Sequence, residues 1–531
     1  MKKYIFTLLT LATLGCVFQS CENFLEVEPT DSVNPDNYYK TEEHIFTALI
    51  GVYNTLSDTR NGNVLYAGDF LHKLGEEGEE GYYRHTPQRN IISQFLYNPS
   101  APSLSSFWSQ LYKGINEANI LLERIDQASF KNKANRDIYK GEALFLRSYF
   151  YFMLVSHFGD VPLMLKGVDT ATLATTPMAR TSSSVIYEQI TTDMQQAFEL
   201  VAPISSYNHG GRVSKSAVAG ILSRVYLHWA GYPLKNTSKY ENAKQWALTV
   251  MDASKVEHNH SLNNSYSQIF INYSQDLYDI NESIWEVEFS GNRTDHPRQA
   301  GAVGNYNGIR SSANSPIGNA NGNIRATATL FLMYKDNDIR RDWAIAPFDY
   351  NNDGTKNYRT DNETQIWGRY AGKYRREHEL NSEKTSYTPI NFPLLRYADI
   401  LLMYAEAEYQ TSGITGGAIE AINQIRKRAQ TDLISSTDFS ASSKDFMLFI
   451  QEERARELCF EGLRRSDLIR WNVYVETIEA MVATYENNPM VALGTKTLLM
   501  NLKNISPRHR LWPIPTRELM FNKLLTQNEG W

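Results

Sequence analysis

Apolar residues recur at intervals of three and four along much of the chain, which is the spacing that predicts amphipathic α-helices. The first such segment follows Thr41, which can cap a helix, while Glu42 and Glu43 favour its positive end. Similar segments predict further helices over 104–127, 136–158, 184–202, 214–231, 238–253, 395–411, 416–430 and 443–462. Because the helices come in consecutive pairs, the pattern predicts degenerate tetratricopeptide-like hairpins, each burying its apolar face on the next.

Two long stretches break this helical pattern. Residues 57–100 lose the helical period and gain Gly, Asn, Tyr and Pro, and residues 258–390 are rich in Asn, Gly, Ser and Tyr. Long irregular segments in compact proteins often carry function. We therefore predict two helical parts, 41–257 with the 57–100 insertion and 391–531, separated by a loop-rich lobe at 258–390 that holds a few short strands.

The N-terminal residues have the features of a lipoprotein export signal. Two lysines precede an apolar stretch that is too short to span a bilayer and is followed by Cys21. We expect residues 1–20 to be a signal peptide, Cys21 to be acylated, and 21–40 to form a tether, so that only the lipid anchor contacts the membrane. Acylation at Cys16, or secretion with an unmodified cysteine, are the alternatives.

Composition and charge narrow the classes of function. The chain has 531 residues, of which 42% are hydrophobic and 21% charged, as in a folded protein. Its net charge of −6 gives no general attraction for nucleic acid. The 32 Tyr and 9 Trp suit stacking on sugar rings or peptides, although most are expected to fill the core. One cysteine remains beyond the leader, so no disulfide framework and no CxxC zinc pair can form.

Five segments resemble signature sequences of the SusD/RagB family, in the family's order along the chain. They are CENFLEVEP at 21–29, EALFLRSYFYFMLVSHFGDVPL at 142–163, FPLLRYADILLMYAEA at 392–407, EERARELCFEGLRRSDLIRW at 452–471 and RLWPIPTRELMFNKLLTQNEGW at 510–531. ESIWEVEF at 282–289 is a weaker sixth. Because the ordered set runs the length of the chain, the protein is identified as a member of this family by resemblance.

The resemblance implies a fold, a location and a partner. SusD/RagB proteins are outer-membrane lipoproteins of Bacteroidota-type bacteria that face the cell exterior and cap a SusC-like TonB-dependent transporter. The resemblance implies a mainly α fold with four tetratricopeptide-like helix pairs packed on a loop-rich lobe of short helices and a few short strands. It also implies no catalytic centre and no required cofactor.

Capture of an oligo- or polysaccharide for delivery to the transporter is the leading expectation for function. Import of peptides, as in the RagB branch, is the alternative within the same class. A helical glycoside hydrolase, and a scaffold that only stabilises the transporter without touching ligand, are the alternatives from other classes.

Charged residues interrupt the otherwise apolar signature helices. They are Arg396, Asp399, Glu406, Arg454, Glu457, Glu461, Arg464, Asp467 and Arg470. Charges in apolar helices are costly unless paired, so we predict ion pairs that lock helices together. The alternative is that two of the carboxylates are the acid and base of a glycosidase.

A sugar site needs aromatic faces beside hydrogen-bonding side chains, and two stretches supply both. The candidates at 66–98 are Asp69, Tyr82, Tyr83, Arg84, Phe95, Tyr97 and Asn98, and those at 291–325 are Arg298, Asn305, Tyr306, Asn307 and Arg310. The resemblance implies ligand binding by these same two stretches, with positions that vary between members. The alternative is that the tyrosines only pack the loops.

The segment DYNNDGTKNYRT at 349–360 resembles a calcium-binding loop. Asp349, Asn351, Asp353, Gly354 and Asn357 occupy its first, third, fifth, sixth and ninth positions. The twelfth position, which should be acidic, is Thr360. A calcium site is therefore one interpretation, and an Asn/Asp/Gly turn between short strands is the other.

Overall fold

The computed structural model describes residues 38–59, 65–74, 78–85, 91–168, 177–291, 299–380, 385–440 and 445–531. The helices of this part of the chain are α1 Glu42–Ser57, α2 Pro102–Arg124, α3 Lys133–Phe158, α4 Ser183–Leu200, α5 Lys215–Ala230, α6 Lys239–Met251, α7 Ala253–Val256, α8 Tyr266–Ser274, α9 Ala328–Met333, α10 Arg341–Ala344, α11 Glu363–Ile366, α12 Tyr397–Ser412, α13 Gly416–Arg428, α14 Thr437–Ser440, α15 Phe446–Leu458, α16 Arg464–Arg470, α17 Tyr474–Glu486, α18 Leu493–Leu499 and α19 Thr516–Phe521. The strands are β1 Gly81–Tyr83, β2 Ser283–Val287, β3 Ile324–Ala326, β4 Ile345–Ala346, β5 Phe348–Tyr350, β6 Lys356–Tyr358, β7 Tyr370–Ala371 and β8 Phe392–Arg396. A five-residue π-helical turn spans Phe70–Leu74.

Eight of the longer helices in the described part of the chain form four consecutive pairs. Each helix from α1 to α6 packs on the next one in the chain, and α12 packs on both α6 and α13. The 258–390 lobe is therefore inserted between the third pair and the fourth. The predicted mainly α architecture is confirmed.

Local chemistry explains where the helices begin and how they pack. Thr41 accepts a hydrogen bond from the His44 backbone N–H at the start of α1, as predicted. Every residue of α5 after Lys215 is buried, which agrees with its apolar sequence. Gly220 lets α5 approach β8, since a side-chain carbon there would lie 2.4 Å from Leu395.

The insertion at 57–100 and the lobe share one sheet, which the sequence did not predict. Four short strands lie in the order β1-β3-β7-β4, and β1 pairs antiparallel with β3 through Gly81↔Ala326 and Tyr83↔Ile324. β2 pairs with β8, and β5 with β6, as separate two-stranded ribbons. Strand β1, which comes from the insertion, is therefore an edge strand of the lobe.

A buried ion network joins the last helices to the lobe. The guanidinium of Arg396, at the end of β8, lies 2.8 Å from Glu282, 3.1 Å from Glu457 and 2.7 Å from Glu461. Glu457 also contacts Arg428 of α13 and Arg340 of the lobe. These residues are all buried, so the predicted ion pairing of the signature helices is confirmed.

The network continues through α12, α15 and α16. Asp399 lies 2.6 Å from Arg224 of α5 and 2.7 Å from Arg454. Arg454 also contacts Asp467, and Arg470 contacts both Asp467 and Glu406. Each carboxylate therefore has at least one arginine partner, as buried charges require.

Two contacts carry the network to the four-stranded sheet. Lys373, two residues after β7, places its Nζ 2.6 Å from Glu461. On the other side, Arg464 Nε donates to Glu79 at 2.9 Å, and the Phe460 N–H donates to Glu80 at 2.9 Å, immediately before β1. The sheet is thus anchored to α15 and α16 through both β7 and β1.

Replacing Glu457 should destabilise the protein strongly. E457Q leaves Arg340, Arg396 and Arg428 with one fewer negative charge in a buried site, and loss of a buried partner costs about 3–5 kcal/mol. We expect a lower midpoint in urea unfolding. Glu479, exposed on α17, is the matched control, and E479Q should leave the midpoint unchanged. Equal midpoints for E457Q and the wild type would contradict this account.

The contribution of Glu457 should also disappear in acid. Burial alone would raise the pKa of this carboxyl, but the charges of Arg428, Arg396 and Arg340 outweigh burial and lower it from 4.5 to about 2. A carboxyl with a depressed pKa stabilises the fold above its unfolded pKa and loses that contribution as pH falls through the folded pKa. The difference in unfolding free energy between wild type and E457Q should therefore shrink from pH 4.5 towards pH 2. A difference that stays constant over this range would contradict the assignment.

Candidate functional site

The two stretches that the sequence singled out meet at the edge of the four-stranded sheet. The Arg84 N–H donates to the Asn323 carbonyl at 2.9 Å, and the Asn323 N–H donates to the Tyr306 carbonyl at 2.7 Å. Tyr83, Arg84 and Tyr306 are thereby brought together from positions more than 200 residues apart. This edge is the candidate ligand-binding site.

Four rings form an aromatic cluster at this edge: His72, Tyr83, His85 and Tyr306. The ring centre of His72 lies 4.2 Å from that of Tyr306 and 5.9 Å from that of Tyr83, and the Tyr83 ring lies 5.4 Å from His85. Tyr306 and His85 are half-buried, whereas Tyr83 and His72 are 8% and 4% exposed. Tyr306 and His85 therefore present the ring surface that a ligand can reach.

His72 is a neutral ring in this cluster. Its Nδ1 lies 3.0 Å from the Gly68 carbonyl. Burial, with a further contribution from the charge of Lys73, lowers its pKa to about 3. The imidazole therefore supports Tyr306 as an uncharged, mainly apolar neighbour at ordinary pH.

Asp69 and Tyr82 are already engaged within the protein. Asp69 accepts from Lys73 Nζ at 2.8 Å and from Ser103 Oγ at 2.9 Å, which ties the π-helical turn to the start of α2. Tyr82 is buried, and its hydroxyl donates to the Trp367 carbonyl at 2.6 Å. The side chains of Tyr82 and Tyr83 point to opposite faces of β1, so Tyr82 points away from the aromatic cluster. Its placement agrees with a packing role and not with ligand contact.

Tyr97 and Asn98 lie against the C-terminal segment. Tyr97 is 2% exposed and stacks on Trp531, with ring centres 5.2 Å apart. Asn98 is exposed and accepts from the Ser100 N–H at 2.8 Å. The burial of Tyr97 fits the packing alternative, with its ring against the C-terminal segment.

Two residues predicted from the sequence lie outside the described part of the chain, and two residues of the aromatic cluster were not predicted. Arg298, a predicted ligand-binding residue, and Cys21, the predicted acylation site, fall outside the described ranges. His72 and His85 were not predicted, because isolated histidines in irregular segments do not stand out as ring partners in a sequence. The π-helical turn that brings His72 to Tyr306 leaves no pattern in the sequence.

The 349–360 segment is a β-hairpin. β5 and β6 pair in the register Asp349↔Asn357, and the Asp349 carboxylate lies 2.9 Å from Arg359. Asp353 accepts from the Thr355 N–H and hydroxyl, and Asn351 Nδ2 donates to the Thr355 hydroxyl. Within the described residues no group of three His, Cys, Asp or Glu side chains is arranged to hold a metal. This geometry favours the turn interpretation over the calcium loop.

Calcium should therefore leave the stability of the protein unchanged. A site saturated at 100 times its Kd would add about 2.7 kcal/mol to the free energy of unfolding. We expect no change in Tm when calcium or EDTA is added, because Arg359 already bonds to the Asp349 carboxylate and Thr355 to Oδ1 of Asp353. A saturable rise in Tm that is lost in D353N would contradict this expectation and restore the calcium interpretation.

Sequence comparisons match nearly the whole chain to one family. A sequence model described as the SusD family matches residues 281–531, and a second, described as "Starch-binding associating with outer membrane", matches residues 23–227. The chain belongs to the SusD family. The family resemblance of the signature segments is thereby confirmed.

Relatives and solved structures agree in length and fold. SusD-like protein P38 of Formosa agariphila is 26% identical over 557 residues, and the alignment covers 99% of each chain. A crystal structure of a SusD homolog from Bacteroides thetaiotaomicron has a TM-score of 0.82 at 28% identity, covering 94% of this chain and 98% of the other. Surface glycan-binding protein A from the same organism, in complex with laminarihexaose, shares the fold at 20% identity with a TM-score of 0.69, covering 92% and 100%.

Within the described residues of this SusD-family protein, no helix combines the length and the apolar character needed to cross a membrane.

Proposed function

We propose that this protein is a cell-surface glycan-binding lipoprotein, which captures an oligo- or polysaccharide at the outer membrane and delivers it to a SusC-like TonB-dependent transporter. The observation that carries the proposal is the aromatic cluster at the sheet edge, where the two tyrosine-bearing stretches converge. The names of relatives support it, since one family model is described as starch-binding and one structural neighbour was solved with laminarihexaose.

The chemistry of the edge suits carbohydrate. A sugar ring packs its C–H face on an aromatic ring, and its hydroxyls need polar groups alongside. The half-buried ring of Tyr306 supplies such a face. The exposed side chain of Asn321 and the guanidinium of Arg84, which is bonded to the Asn321 carbonyl at 2.8 Å, supply polar groups at the same edge.

The lipid anchor and the transporter complete the proposed role. The leader followed by Cys21 supports acylation, and the family description supports association with the outer membrane. A protein held by acyl chains stays at the surface without spanning it. Capture at the surface is useful to the cell only if a transporter takes up the ligand, which is the role we assign to the SusC-like partner.

The placement of the signature carboxylates supports binding over hydrolysis. A glycosidase needs two carboxyl groups that face the scissile bond from an accessible cleft. Glu406, Glu457 and Glu461 are buried and bonded to arginine or lysine. They therefore serve the fold, and we propose that the protein binds glycan without cleaving it.

Replacing Tyr306 should weaken glycan binding. Y306A removes the ring face at the edge, and we expect roughly a tenfold loss of affinity, about 1.4 kcal/mol, by calorimetry against the glycan that the wild type binds. The matched control is Y358A. Tyr358 lies on the β5–β6 hairpin and is 68% exposed, so its loss should change neither Tm nor affinity.

The same titrations separate the alternative functions. Each mixture is assayed for reducing ends. Release of reducing ends would show that the protein is a hydrolase and not only a binding protein. Saturable binding of peptides alone would favour the RagB-type role. Undiminished glycan affinity in Y306A, with Tm unchanged, would remove the aromatic cluster from the site.

A further inference from the structure

Three arginines lie together at the sheet edge that carries the aromatic cluster. Arg84 follows Tyr83 directly, Arg325 lies on the neighbouring strand β3, and Arg310 is exposed four residues after Tyr306. We call Arg84, Arg310 and Arg325 the arginine cluster. Successive side chains of a strand point to opposite faces, so Arg84 and Arg325, which pairs with Tyr82, lie on the face opposite Tyr83. The arginine cluster and the aromatic cluster therefore flank the same edge strand from its two faces.

Backbone contacts position Arg84 and Arg310, and an aromatic ring lies beside Arg325. Arg84 Nε donates to the Gly322 carbonyl at 2.8 Å, and its Nη2 donates to the Asn321 carbonyl at 2.8 Å. Gly322 packs against the backbone of Arg310 so closely that an added side-chain carbon would lie 2.8 Å from the Arg310 nitrogen. The guanidinium carbon of Arg325 lies 5.3 Å from the centre of the Tyr370 ring.

The arginine cluster lacks the negative partners that arginines have elsewhere in this protein. Arg396 contacts three carboxylates in the core, whereas in the described part of the chain none of the three edge arginines forms an ion pair with Asp or Glu. Burial lowers the pKa of Arg84, and the nearby charges of Arg325 and Arg310 lower it further. The cluster therefore concentrates positive charge that no described side chain neutralises, on a protein with a net charge of −6.

Such an arrangement suits an anion supplied from outside. The planar guanidinium binds carboxylate and sulfate groups through paired hydrogen bonds, and it is desolvated more readily than an ammonium group. Arg310 is exposed, and Arg84 and Arg325 are half-buried, so an incoming anion can reach Arg310 first and then meet the less hydrated charges. The hydrogen bonds that Arg84 donates to the two carbonyls hold its guanidinium in a fixed orientation.

We propose that the arginine cluster binds the anionic groups of an acidic polysaccharide, the carboxylates of uronic acids or sulfate esters, while the adjacent aromatic cluster holds its sugar rings. This inference rests on the proposed glycan-binding function and names the class of ligand.

The test compares acidic and neutral glycans as ligands of the full-length protein. Polygalacturonate presents carboxylates, carrageenan presents sulfate esters, and laminarin is neutral. We expect at least one of the two acidic polymers to bind at least tenfold more tightly than laminarin at low salt, and the advantage to shrink as salt is added. Which acidic polymer binds identifies the anionic group.

Variants of the arginine cluster make the test specific. Arg310 is exposed and forms no ion pair with a carboxylate of the described residues, so R310Q should keep the wild-type Tm while binding the acidic polymer about three- to tenfold more weakly. R310Q should leave laminarin binding unchanged. The matched control is R517Q, which removes one exposed positive charge from α19 and should leave both affinities unchanged.

The outcomes separate this inference from the proposed function. Two results would overturn the assignment of the arginine cluster and leave glycan capture standing. One is that laminarin binds as tightly as both acidic polymers, and the other is that R517Q lowers the affinity for the acidic polymer as much as R310Q does. Absence of binding to both acidic polymers would overturn the assignment of the arginine cluster, whereas absence of binding to every glycan titrated would overturn both. Selective loss of acidic-glycan binding in R310Q supports both.

Discussion

The buried ion network around Glu457 and Arg396 is the constraint on which the rest of the structure depends. Glu457 contacts arginines from the lobe, β8 and α13, and Arg396 contacts carboxylates from two separate segments, the lobe and the end of α15. Because an unpaired charge in a buried site is costly, these contacts must form together or not at all. A single assembled arrangement therefore fixes the last helix pair, α15 and the lobe relative to one another.

The same network determines where the candidate site lies. Lys373 and Glu79 extend it to β7 and to the residues just before β1, so the edge strand is held by the signature helices. Binding residues placed on loops at the rim of a rigid scaffold keep their geometry while their identities vary. Arginine has two roles in this protein. In the core, arginines are neutralised by carboxylates, whereas at the edge Arg84, Arg310 and Arg325 have no carboxylate partner among the described residues.

The helices and the ion pairs could be predicted from the sequence, whereas the site could be predicted only as two regions. A period of 3.6 residues predicts a helix, and charges such as Asp399 and Glu457 inside apolar helices are stable only when they are paired. The pairing of β1 with β3 could not be predicted, because two three-residue strands separated by more than 200 residues carry too little pattern. Tyr82 and Tyr97 look like Tyr306 in sequence, and only their burial and their contacts with Trp367 and Trp531 distinguish these core rings from the half-buried ring of Tyr306. The calcium-like spacing at 349–360 could not show that the hairpin brings Arg359 to the Asp349 carboxylate.

The most direct test of the central claim, that ligand lies along the edge strand held by the network, is hydrogen-exchange mapping of the protein with and without a glycan that it binds. We predict added amide protection at 81–85, 304–310 and 321–326, with α1 to α6 unchanged, because the ligand covers the edge without reorganising the helix pairs. Protection confined to another surface, such as the groove that Tyr485, Leu493 and Met500 line, with the edge strand unaffected, would contradict the account.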